Sequence, residues 1–132
     1  MKKTVSKQTT FLFVLLMAFA ISFGQSRITY ASANIKFDTT NVYLEDGRTR
    51  MVGVFTNYGD EGATVTDATF QVDITTPDGR YIWSDSGDFS DIDAWVPAGG
   101  QVTWTFNINN DNCPEYQGRF KWNVNNRIWW ES

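Results

Sequence analysis

Residues 101–109 read QVTWTFNIN. Val102, Trp104, Phe106 and Ile108 alternate with Gln101, Thr103, Thr105 and Asn107. A period of two sets successive side chains on opposite faces, so the four apolar ones share one buried side of a strand. Residues 68–75, ATFQVDIT, repeat the pattern with Ala68, Phe70, Val72 and Ile74 inward and Thr69, Gln71, Asp73 and Thr75 outward. No segment beyond residue 33 carries a 3.6-residue apolar period, so an all-β domain is expected.

The neighbouring segments fit the same reading. Thr76-Pro77-Asp78-Gly79 is a turn tetrad, and Tyr81-Ile82-Trp83 resumes an extended run, which together predict a hairpin. Further extended stretches fall at 35–37, 41–45 and 50–57. Asp46-Gly47 is a hairpin signal between two of them. A three-residue loop with a bulge is expected there, because it gathers Val42, Leu44, Val52 and Val54 on one face. Asn57-Tyr58-Gly59-Asp60 and Ala98-Gly99-Gly100 supply more turns.

The terminal stretch 119–130, RFKWNVNNRIWW, reads as a hairpin about Asn125-Asn126 or as one strand. One strand gives the cleaner segregation. It aligns Phe120, Trp122, Val124, Ile128 and Trp130, is interrupted only by Asn126, and turns Trp129 to the polar side. About seven short strands separated by turns predict an immunoglobulin-like β-sandwich of antiparallel strands. The lone Cys113 leaves no intrachain disulfide, so Trp104 or Trp122 is expected to fill the central volume.

The first 33 residues predict export. Met1 to Thr10 carries Lys2, Lys3 and Lys7, residues 11–23 (FLFVLLMAFAISF) form a short apolar run, and Ala31-Ser32-Ala33 has the A-x-A form of a cleavage site. The run is too short for a membrane span, which takes about 20 apolar residues. The expected division is a secretory signal peptide at 1–33, with cleavage nearer Gly24 as the alternative, and one domain at 34–132, secreted or held at the cell wall. Beyond residue 33, seven basic residues face all 15 acids, a formal charge of −8. Such a surface repels phosphate backbones, which argues against nucleic acid as a partner.

At this point the residues resemble a known group. Asn41-Val42-Tyr43 with Asp46-Gly47, then Gly53-Val54-Phe55-Thr56-Asn57, Phe70-Gln71-Val72-Asp73-Ile74 with Asp78-Gly79, and Val96-Pro97-Ala98-Gly99 leading into Trp104-Thr105-Phe106 are similar to SLAP (surface-layer-associated protein) domains. Bacterial immunoglobulin-like modules of the FxLYD type share these features. The likeness covers residues 42–108. It implies an extracytoplasmic, surface-associated module of a Gram-positive bacterium, without enzymatic activity, and it transfers no functional residue.

The chain has no histidine, which removes Ser–His–Asp and Cys–His catalysis and every imidazole metal ligand. No cofactor is expected. Cys113 reads as a semi-buried small side chain, with an intermolecular disulfide as the alternative. Asp85, Asp88, Asp91 and Asp93 form the densest acid run. Loop carboxylates suit calcium, but the spacing departs from the EF-hand loop and a solvated acidic loop explains it as well.

Trp83, Trp95, Tyr116, Trp129 and Trp130 exceed what one core needs and are the candidates for a binding surface, with Trp129 the first expected to be exposed. The leading functional expectation is a secreted, non-enzymatic interaction module engaging a cell-wall or extracellular protein or polysaccharide. The alternatives are a small carbohydrate-binding module and a secreted inhibitor or effector that presents a loop such as 85–95 to an extracellular enzyme.

Overall fold

The computed structural model describes residues 31–132, and among them there is no helix. The signal-peptide expectation therefore falls almost wholly outside the described residues. Seven strands run in the order β1 (Ile35–Glu45), β2 (Arg48–Asn57), β3 (Ala63–Thr75), β4 (Tyr81–Phe89), β5 (Ala94–Val96), β6 (Gln101–Asn109) and β7 (Lys121–Glu131). They form two antiparallel sheets, the immunoglobulin-like sandwich read from the sequence. One sheet has the order β1-β2-β6; the other is centred on β3, with β4 and β5 end to end along one side and β7 along the other.

The core lies where the sheets meet. Phe37, Phe55 and Phe106 from the three-stranded sheet interlock with Phe70 and Phe89 from the other, the closest centroids being 4.8 Å apart for Phe37–Phe55 and for Phe70–Phe106. Tilted and edge-on ring pairs suit the aromatic quadrupole and each adds about 0.5–1.5 kcal/mol beyond area burial. Phe37 crosses the face of Gly53, where a Cβ would stand 2.5 Å from the ring. Only glycine leaves room for it.

The alternation of β3 and β6 is realised as expected, and residues 121–131 form the single strand, paired with β3 from Thr75 to Thr64. Asn126, the polar interruption, donates from Nδ2 to the Phe37 carbonyl at 3.0 Å. It bridges the two sheets by capping an edge group of β1.

The expected three-residue loop at Asp46-Gly47 is corrected. Glu45 pairs with Arg48, so the loop has two residues, with Gly47 at φ 85°. Val42 and Leu44 are buried, and across from them the buried set is Thr49, Met51, Gly53, Phe55 and Asn57, while Val52 and Val54 turn outward. The stretches 35–37 and 41–45 are one strand with a register shift between Thr39 and Asn41, where Thr40 Oγ1 donates to the Val52 carbonyl.

Asn57 closes the far end of β2. It is fully buried. Its Oδ1 accepts from the Asn34 and Gly59 amides, and its Nδ2 donates to the Glu61 and Val96 carbonyls. Next to it Ser32 exchanges two hydrogen bonds with Asp60, and Ala33 packs on the core. A cut after Ala33 would remove these contacts; a cut nearer Gly24 keeps them.

Candidate functional site

The outer face of the four-stranded sheet sets side chains of β4, β3 and β7 beside one another. Across β3, Gln71 lies between Ser86 and Asn125, Asp73 between Ser84 and Asn123, and Thr69 between Asp88 and Arg127. Rows of hydroxyl, amide and charged groups therefore cross three strands. Ser84 Oγ donates to Asp73 Oδ1 at 2.7 Å, whereas Asn123 and Asn125 make no side-chain hydrogen bond among the described residues. At the Ala63 end of β3, Thr64 is flanked by Trp95 on one side and Glu131 on the other.

Of the aromatic candidates, Trp95 is the exposed one. It projects between buried Ala94 and Val96 and is 58 % exposed, its indole resting against Gly62. The expectation that Trp129 leads is corrected: it faces the polar side but is half-buried beside Asp67, with the Arg127 guanidinium 5.8 Å from its ring. Trp130 packs on the core with Nε1 buried. Trp83 also packs inward, donating from Nε1 to Thr49 Oγ1 at 3.1 Å. Tyr116 lies across the molecule against Phe120, its amide bonded to the Leu44 carbonyl. The fold thus brings Trp95 and Trp129 to one face and leaves the other three elsewhere. Tyr81, 68 % exposed at the opposite end of that face, was missed because it reads as one more strand aromatic.

The acidic run divides. Asp85 is tied down, accepting from the Ser86 amide and Asn110 Nδ2, and Asp88 stands on β4. Asp91 and Asp93 sit in the excursion between β4 and β5, both with positive φ, where Ile92 turns in and its amide bonds the Thr66 carbonyl. They line a cleft of about 580 Å³ with Asp67 and Glu131. Among the described residues no three such side chains are grouped to hold a metal ion.

Cys113 is 2 % exposed, its Sγ 3.5 Å from Thr49 Oγ1. Burial pushes its thiol up from the ordinary range. The Gly47 amide and carbonyl bind Cys113 and Asn110, locking the loop to the first hairpin. An intermolecular bridge requires this loop to open.

No helix of the described residues is long and apolar enough to cross a membrane. No protein-family model matches the chain, and no curated protein is significantly similar to it.

Proposed function

We propose that this chain is an exported, non-enzymatic interaction module acting at the cell envelope or in the medium of a Gram-positive bacterium, and that the outer face of the four-stranded sheet is its recognition surface. The observation that carries the reading is Trp95, an indole 58 % exposed on a sheet face crossed by rows of polar side chains. A large side chain with few rotatable bonds loses little entropy on docking, which is why exposed tryptophan so often anchors an interface. The basic, apolar and small-residue order of 1–33 supports export, the SLAP-like motifs support the cell surface, and the lack of histidine, which removes imidazole catalysis, fits a non-enzymatic role. Cell fractionation tests it: the protein is expected in the medium or wall fraction. Uncleaved chain confined to the cytoplasm would overturn the reading.

A second reading, a carbohydrate-binding module, is favoured by the rows through Gln71, Asn123 and Asn125. Amides and hydroxyls match sugar hydroxyls, and an indole takes the apolar face of a pyranose. Tryptophan emission titrated with cell-wall or plant polysaccharides should shift for the native chain and stay flat for Trp95→Ala. Equal shifts in both would refute this second reading.

A further inference from the structure

The five edge strands of the sandwich are not protected alike, and β5 has only three residues to offer. β1 carries Lys36, Asp38 and Glu45, is bent by its register shift, and has edge carbonyls capped by Asn126 Nδ2 and the Tyr116 amide. β4 carries Asp85 and Asp88 and breaks off at the Ser90–Asp93 excursion. β7 carries Lys121, Arg127 and Glu131, with a register shift against β3. Charges, bulges and caps are the devices that keep sheet edges from pairing with other chains.

β6 has none of them. Its nine residues, QVTWTFNIN, contain no charge, proline or glycine. Its register with β2 runs unbroken from Arg48↔Asn109 to Thr56↔Gln101. Bonding parity across β2 is set by the Leu44 and Phe37 carbonyls, which point away from Thr49 and Phe55. Thr49, Met51, Gly53 and Phe55 therefore bond toward Ile108, Phe106, Trp104 and Val102. That leaves the N–H and C=O of Thr103, Thr105 and Asn107 directed to the open edge. Among the described residues Asn107 Oδ1 is also buried without a hydrogen-bond partner.

We propose that the free edge of β6 pairs antiparallel with β6 of a second copy of this chain, joining two three-stranded sheets into one of six strands. An antiparallel edge is self-complementary under a two-fold axis. With the axis at Thr105, Thr105 faces its own copy and each Thr103 faces Asn107. No like charges oppose one another, and Asn107 lies opposite a hydroxyl donor. The pairing lies in the sheet that does not carry Trp95, so it leaves the recognition face open and stands independently of it.

Sedimentation velocity on the purified chain over a hundredfold concentration range tests the pairing. The native chain should pass from monomer to dimer, more readily in added salt because each copy is acidic. Thr105→Lys places two ammonium groups face to face and should move the midpoint at least tenfold higher with near-UV circular dichroism unchanged. Thr105→Cys should cross-link under mild oxidation, since directly paired residues have Cα atoms about 5.5 Å apart; Thr69→Cys, on the central strand of the other sheet, should not. Amide exchange at Thr103, Thr105 and Asn107 should slow with concentration. Monomer at every concentration, or a dimer indifferent to Thr105→Lys, would overturn the proposal. Protection of these amides only by another component of a cell extract would assign the edge to a different partner and equally overturn it.

Discussion

Asn57 ties the loop that follows it, at Gly59 and Glu61, to two parts of the chain distant in sequence: the entry to β1 at Asn34 and β5 at Val96. Alanine in its place removes all four hydrogen bonds. Each contributes about 1 kcal/mol net, and a buried acceptor left bare costs about 1–3 kcal/mol. The bond to the Val96 carbonyl is buried, whereas the other three lie at a half-buried rim that water reaches. The expected loss is about 3–5 kcal/mol, against a total of about 5–15 kcal/mol for a domain of this size. Urea unfolding followed by tryptophan emission should show a lower midpoint with an unchanged slope, and Tm should drop by roughly 15–25 °C.

Asn57→Asp sharpens the test. It keeps the acceptor but aims carboxylate oxygens at two carbonyls, so burial and those oxygens hold its proton on and raise its folded pKa. Between the unfolded and folded values the native state binds more protons, so stability falls as pH rises through that window and recovers on acidification. A loss below about 1 kcal/mol in Asn57→Ala, or a pH-independent Asn57→Asp, would refute the reasoning.

Two further predictions concern single residues. Hydrogen bonds from Arg50 and Arg48 hold the Glu45 carboxyl below its usual range, so its contribution is present above the unfolded pKa and lost as pH falls through the folded one. Glu45→Gln should flatten the acid limb of a stability–pH curve, and an unchanged limb would count against the ion-pair account. Native Cys113 should react with a thiol reagent only at the rate of local or global opening, accelerating with denaturant; immediate labelling at neutral pH would contradict its burial.

Strand alternation made β3, β6 and β7 legible, because each turns one mostly apolar face toward the core. The first hairpin misled for a physical reason. Thr49, Gly53 and Asn57 occupy core positions that pattern reading assigns to valine. Each holds its place through a partner distant in sequence: Trp83 Nε1 and Cys113 at Thr49, the Phe37 ring at Gly53, and the Asn34 amide and Val96 carbonyl at Asn57. The exposure of Trp95 is not legible in the sequence, because β5 has three residues and no period can be read from three. Its exposure is decided by pairing with Thr64, a tertiary fact. The polar rows beside it come from three strands and are adjacent only after folding.

The central claim is that the Trp95 face recognises a component of the cell envelope. Co-sedimentation of the purified chain and its Trp95→Ala variant with insoluble envelope material from the producing cells tests it most directly. The native chain is expected in the pellet and the variant, equally stable to urea, in the supernatant. Both pelleting alike, or neither pelleting, would contradict the claim.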